Sequence, residues 1–170
     1  MQNLKPKSNE QYPEVLAALS KLNIPYEITT HQAVYTIEET RALGLMDIGM
    51  VCKNLFLKDA KGKNFYLIVM SQDKKADLKD IAAQLGSAKL SFASEERLQT
   101  MLGLKKGAVS PLGIMNDQPH TITVAFDASL RIYGKLGVHP NDNTATIWLS
   151  FANLEKFVKY YGNNICYIEI

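Results

Sequence analysis

The sequence predicts an α+β fold: one domain in which a curved, mixed, mostly antiparallel sheet is flanked by short helices. Three observations predict it. Helical and strand periodicities are interspersed along the chain, and no linker, internal repeat or low-complexity tract divides them. Two apolar runs, Met50 to Lys58 and Phe65 to Met70, flank the turn Asp59-Ala60-Lys61-Gly62 and read as a buried β-hairpin. Every helical segment is short, which argues against a regular βαβ series with a parallel sheet. With 170 residues, 46% hydrophobic and 21% charged, the chain can bury a sizeable core and is expected to form a single domain over 1–170.

The elements follow in order. After a polar Ser8-Asn9-Glu10 lead, residues 12–22 place Val15, Leu16, Leu19 and Leu22 at helical spacing, with Pro13 early, where proline is tolerated. Tyr26 to Thr30 alternates and is rich in β-branched residues, so it reads as an edge strand ending near His31. Thr36 and Glu39 form a capping box for a helix that can stop at Gly44. After the hairpin, helices are expected over 77–85, ending at Gly86, and over 94–102, from Ser94 to Gly103. Lys106 to Gly113 has glycines at both ends and a proline within, the mark of a shaped loop that another molecule's backbone can approach closely. Thr121 to Phe126 and Thr144 to Leu149 alternate as strands. Ser150 caps a helix bearing Leu154, Phe157, Val158 and Tyr161, Gly162 stops it, and Ile165 to Ile170 closes as a strand.

Composition excludes several classes. Lys and Arg number 19 against 17 acids, a net charge of +2, so strong nonspecific nucleic-acid binding is not indicated. No apolar run approaches the roughly 20 residues that span a bilayer, and the start MQNLKPKSNEQ lacks the apolar stretch of a signal peptide, so a cytoplasmic location is expected. Cys52 and Cys166 show no CxxC and no partner spacing, which gives neither a disulfide framework nor a cysteine zinc site. His31 and His120 fall at turns, and no HxH or HExxH supports a metal. GxxxxGKS, GxGxxG and GxSxG signatures are absent.

Lys53 is the most informative residue. Strand parity aligns it with Val51, Leu55 and Leu57, while Cys52, Asn54 and Phe56 share the other face. An ammonium in a strand apolar on both faces must reach a cavity, an anion or a carboxylate, or else snorkel to water from an edge strand; spacing alone leaves these alternatives open. His139 stands in a loop of turn formers, Val138 to Thr144, where scaffolds often hold function. Cys52 is read as packing, and Glu38-Glu39 and Glu95-Glu96 as first-turn carboxylates favoured by the helix dipole.

Four segments, in order, carry a resemblance: His31 to Glu39 (HQAVYTIEE), Cys52 to Leu57 (CKNLFL), Gly107 to Gly113 (GAVSPLG) and His139 to Thr146 (HPNDNTAT). Together they resemble the YbaK/prolyl-tRNA-synthetase-associated editing domains, most closely the PrdX-type free-standing Ala-tRNA(Pro) deacylases, over nearly the whole chain. The resemblance implies hydrolysis of the ester joining a wrong amino acid to tRNA(Pro), with no metal and no cofactor. It assigns catalytic positions to Lys53, Asn54 and His139 and substrate contacts to Gly107, Ala108, Val109, Ser110, Pro111 and Gly113. Asn54 and HPNDNTAT look like the alanine-editing branch, and Leu112 stands where many relatives have phenylalanine, a change expected in the pocket wall. The implied partner is the acceptor end of mischarged tRNA(Pro), with prolyl-tRNA synthetase as a second and neither DNA nor membrane. Two alternatives remain: a deacylase for Cys-tRNA(Pro) or another small aminoacyl ester, and a non-catalytic tRNA- or synthetase-binding module of the same fold.

An aminoacyl ester is already activated, so the chemistry needs a small pocket, donors for the ester oxyanion and a positioned water, not a nucleophilic triad. Glycine-loop amides can supply the donors. Lys53 would meet the ester carbonyl or the terminal phosphate, and the neighbouring ribose hydroxyl helps activate water, as the family's mechanism implies.

Overall fold

The computed structural model describes residues 12–170, so the Ser8-Asn9-Glu10 lead lies outside the described residues. Helix α1 (Pro13–Lys21) opens with proline at its first position, where a missing N–H leaves nothing unsatisfied, and turns Val15, Leu16 and Leu19 into the core. Strand β1 (Glu27–Thr30) follows. Helix α2 (Ile37–Ala42) starts with the expected capping box: Thr36 Oγ1 accepts from the Glu39 N–H at 3.1 Å, and the Glu39 carboxylate accepts from the Thr36 N–H at 3.3 Å. The hairpin is β2 (Met50–Asp59) with β3 (Phe65–Ser71), antiparallel from Cys52↔Ser71 to Lys58↔Phe65.

Helices α3 (Leu78–Leu85) and α4 (Glu95–Leu102) are capped by Asp77 and Ser94 and stopped by glycines, as their sequences predict. Between them runs β4 (Leu90–Phe92). Strands β5 (Ile122–Asp127), β6 (Leu136–Val138) and β7 (Ala145–Leu149), helix α5 (Phe151–Tyr161) and strand β8 (Ile165–Ile168) complete the chain. β4 and β6 are absent from the sequence reading because three residues are too few to display a period of two. The shaped loop ends in a 3₁₀ helix, Pro111–Asn116, which Ser110 caps through Oγ.

The sheet has eight strands in the order β1-β7-β6-β2-β3-β5-β8, with β4 also paired to β2. Four of the seven pairings are antiparallel, and three are parallel. One face carries the main core, to which α1, α4 and α5 contribute Leu19, Leu102 and Phe157, while α3 covers the other with Ile81 and Ala82. β1 lies at the edge, as its alternation suggests. At Gly137 a Cβ would come within 2.6 Å of the Trp148 ring, so only glycine lets β6 lie against that buried tryptophan.

The pairing of β2 leaves an opening in the sheet. The side of β2 away from β3 is covered by β6 at Met50–Val51 and by β4 at Leu57–Asp59, and no strand pairs with it between. Val51 accepts from the Gln72 N–H and Asp59 donates to the Asn64 carbonyl, so odd-numbered residues bond toward β3. Phe56 accepts from Ala93 on the opposite side. The alternation of an antiparallel ladder therefore turns the Asn54 main-chain N–H and C=O into the gap.

Candidate active site

A cavity of about 470 Å³ opens at this gap in the sheet. Lys53 and Asn54 enter from β2, Gln72 from the end of β3, Tyr35 and Thr40 from α2 and its lead, Gly107 and Val109 from the glycine loop, and His139 and Thr146 from around β7. Of the residues to which the sequence gives a role, Lys53, Asn54, His139, Gly107 and Val109 line this cavity. Ala108, Ser110, Pro111 and Gly113 are buried behind it. Leu112 is fully buried in the main core and does not form pocket wall, so the expected effect of its size on the wall does not arise.

The four buried loop residues shape the rim. Ser110 Oγ donates to the His139 carbonyl at 2.6 Å while accepting from the Leu112 N–H at 3.2 Å, which ties the glycine loop to the histidine loop. The Ala108 N–H is already engaged with the Lys105 carbonyl at 3.0 Å. The amides of Gly107 and Val109 have no protein acceptor among the described residues. The Lys106 and Ser110 amides also lack one, but of these four residues only Lys106, Gly107 and Val109 line the cavity.

Lys53 resolves its sequence dilemma in favour of the cavity. Its side chain is half-buried, and its ammonium donates to the Lys74 main-chain carbonyl at 2.5 Å, not to a carboxylate. No Asp or Glu lines the cavity, whereas Lys53 and Lys106 both do, so it favours a carbonyl oxygen or an anion. Asn54 Oδ1 and Gln72 Oε1 are buried acceptors with no donor among the described residues, although the Gln72 amide does donate to Thr40 Oγ1 at 3.2 Å. Buried acceptors left open in this way call for a donor from water or from a bound molecule.

His139 Nδ1 lies 3.0 Å from the Ala145 carbonyl; a carbonyl only accepts, so Nδ1 carries the hydrogen and Nε2 is left as an acceptor. Burial, aided by repulsion from His31, holds its pKa below the ordinary histidine value against the opposing effects of the Ala145 carbonyl and Asp142. His31 was read as a turn residue, yet its Nε2 meets Thr146 Oγ1 on the cavity wall at 2.8 Å. Thr146 closes the HPNDNTAT motif, whereas Gln72 and Thr40 carry no local signal; only tertiary contact brings those two to the site. Cys52 lines the cavity, but burial pushes its thiol up to about 12, which leaves no thiolate for nucleophilic attack near neutrality. No group of three or more His, Cys, Asp or Glu able to hold a metal occurs among the described residues, and none of their helices is long and apolar enough to cross a membrane.

Comparison with known proteins gives the family. The chain is 49% identical over 156 residues to the prolyl-tRNA editing protein ProX of Acetoanaerobium sticklandii, covering 92% of this chain and 95% of that one. It is 35% identical over 159 residues to prolyl-tRNA synthetase associated domain-containing protein 1 of Mus musculus, covering 92% and 94%. A crystal structure described as that of a candidate trans-editing enzyme for prolyl tRNA synthetase superposes with a TM-score of 0.71 at 20% identity, over 94% of this chain and 96% of the other, and so shares the fold. The model of the aminoacyl-tRNA editing domain matches residues 31–157. A match over most of the chain, with relatives this similar at nearly full length, means that the chain belongs to the aminoacyl-tRNA editing domain family.

Proposed function

We propose that this protein is a trans-editing hydrolase that deacylates mischarged Ala-tRNA(Pro) and spares Pro-tRNA(Pro). The observation that carries the reading is a carboxylate-free cavity in which the Lys53 ammonium stands with the unengaged Gly107 and Val109 amides, and in which the one thiol is held protonated. This is equipment for stabilising an oxyanion, not for forming a covalent intermediate. The proteins named for prolyl-tRNA editing and synthetase association supply the tRNA.

Each group has a place in the reaction. The substrate's α-amino group donates to Gln72 Oε1, which otherwise lacks a donor among the described residues. Water attacks the ester carbonyl carbon, with His139 Nε2 accepting a hydrogen bond from it and the vicinal ribose hydroxyl helping to orient it. Negative charge on the carbonyl oxygen is met by Lys53 and the Gly107 and Val109 amides. The bond from carbonyl carbon to ribose oxygen then breaks, one proton of the attacking water passes by way of the vicinal hydroxyl to that oxygen while the other is lost to solvent from the new carboxyl group, and free alanine and uncharged tRNA leave. Proline is rejected by size, because steric exclusion discriminates more strongly than the roughly 10- to 200-fold of one methylene's binding.

The test is hydrolysis of Ala-tRNA(Pro), Cys-tRNA(Pro) and Pro-tRNA(Pro) by the purified protein with a chelator present. Release of alanine alone is expected. Preferential release of cysteine moves the specificity to the other small substrate, and no turnover of any substrate makes the protein a binding module.

A further inference from the structure

The loop that carries His139 is held from behind, away from the cavity. Asp142 Oδ1 accepts from the Thr144 N–H at 2.8 Å and from the Thr144 hydroxyl at 2.5 Å, a turn in which an aspartate side chain bonds the main chain two residues on. A carboxylate only accepts, so the Thr144 hydroxyl gives its hydrogen to Asp142, and the Tyr12 hydroxyl, 2.9 Å from Thr144 Oγ1, is the donor to it. Tyr12 is buried in the main core just ahead of α1. The Thr144 carbonyl accepts from the His31 N–H at 2.9 Å, so every polar group of Thr144 is engaged. One residue later the Ala145 carbonyl takes the Nδ1 hydrogen of His139.

We propose that Thr144 is a positioning residue for the reaction: pinned by Tyr12 and Asp142, it sets the Ala145 carbonyl where that carbonyl selects the His139 tautomer with its hydrogen on Nδ1. The inference rests on the deacylase reading, in which His139 Nε2 accepts from the attacking water, and adds to it the part of the chain that keeps this nitrogen free of hydrogen. Tyr12, Asp142 and Thr144 do not line the active-site cavity, so they act on the chemistry only through the loop.

A neutral imidazole carries one hydrogen, and the partner of one ring nitrogen decides which nitrogen holds it. With the hydrogen on Nε2 the ring would present a donor to the water where the reaction needs an acceptor. The two ends of the loop are fixed differently. Ser110 Oγ holds the His139 carbonyl, which places the main chain of the histidine without reference to Thr144. The ring's own partner, in contrast, lies at the entry to β7, where pairing with β1 begins at Ala145 opposite Thr30. Ahead of that pair the chain has just turned through Asn141, whose backbone stands in the left-handed region at φ +61°. The Thr144 side chain is therefore what ties the turn to the strand, and Tyr12 ties Thr144 to the core.

The experiment records the ring-nitrogen resonances of His139 in the isotopically labelled protein at a pH where the ring is neutral, together with kcat and KM for Ala-tRNA(Pro). The wild type should show one tautomer, with the hydrogen on Nδ1. Thr144→Val keeps the shape of the side chain and removes its hydroxyl; it should give a mixture of tautomers and lower kcat by up to about 100-fold while KM holds. Thr144→Ser should restore both readouts. A melting curve checks that Thr144→Val is folded; if it is not, Tyr12→Phe, which removes only the outer donor, should move both readouts in the same direction. An unchanged tautomer or an unchanged kcat in the folded variant, a KM defect with normal kcat, or failure of Thr144→Ser to rescue would overturn the inference. A tautomer change in a protein that hydrolyses no aminoacyl-tRNA would uphold the hold on His139 and overturn the deacylase reading.

Discussion

The ammonium of Lys53 donates to the main-chain carbonyl of Lys74 at 2.5 Å, and Lys74 is itself clamped in place. Its own ammonium reaches the Asp127 carboxylate at 2.9 Å, Ser129 Oγ at 2.7 Å and the Ile170 carbonyl at 2.8 Å. Asp127 is 1% exposed and also accepts from the Ser129 N–H and hydroxyl. The cavity lysine is thereby referenced to β5 and to the end of the chain through one carbonyl.

Lys53→Ala should leave a folded and inactive protein. The ammonium has a carbonyl for a partner, so its loss strands no buried carboxylate, and stability should fall by no more than about 1.5–3 kcal/mol, the worth of one hydrogen bond from a charged group. Loss of one oxyanion donor is worth about 2.7–4 kcal/mol, or roughly 100- to 1,000-fold in rate. Melting temperature and single-turnover deacylation on one preparation decide it; full activity in a folded variant would remove Lys53 from the chemistry.

Lys74→Met tests the clamp. Asp127 keeps its Ser129 donors but loses its cation, a destabilisation of about 1.5–3 kcal/mol. With its acceptor loosened, Lys53 should misplace its charge, so kcat falls by up to about 100-fold while KM holds. Lys74→Arg, which restores the ion pair, should recover most of the rate. A KM defect with normal kcat would contradict the positioning role.

Cys52→Ser should keep most of the activity, and the wild type should resist alkylation at neutral pH, because burial pushes the Cys52 thiol up to about 12. A folded but dead serine variant would instead point to a covalent intermediate.

Gly107 carries both local strain and crowding. A β-branched side chain there obstructs close approach of a substrate to the backbone. The backbone is at φ +88°, and a Cβ would stand 2.8 Å from Tyr35 Cε1, so stability suffers as well. Gly107→Ala should cost about 1–2 kcal/mol from the left-handed conformation, and more for Gly107→Val. Adding Tyr35→Ala removes the clash and not the strain, so denaturation midpoints should recover only in part.

His139 gives the pH dependence. Its folded pKa lies below the unfolded value near 6.5, so the unfolded chain takes up the proton first as pH falls. The associated stability is complete above about pH 6.5 and is lost as pH drops through that value toward the depressed one. Denaturant midpoints from pH 8 to 5 should fall for the wild type and flatten in His139→Gln; parallel curves would show that other groups dominate.

Local order was legible in the sequence. The Thr36–Glu39 box, the Ser94 and Ser150 caps, the glycine stops and the β2–β3 hairpin are each written in residues a few positions apart, because turns, caps and strand parity act over that range. Parity also marked Lys53 as a charge needing a destination, and four short motifs gathered most of the cavity wall. What the tertiary structure decided is the destination itself. The gap between β6 and β4 arises from pairings between residues far apart in sequence, and neither three-residue strand has a periodic signal. That gap turns Asn54 into the cavity, brings Gln72 and Thr40 to its wall, and sets the Lys74 carbonyl against Lys53. It also withdraws Ala108, Ser110, Pro111 and Gly113 into supporting positions, since a loop's sequence gives its flexibility while only the packed neighbours determine which of its faces meets solvent.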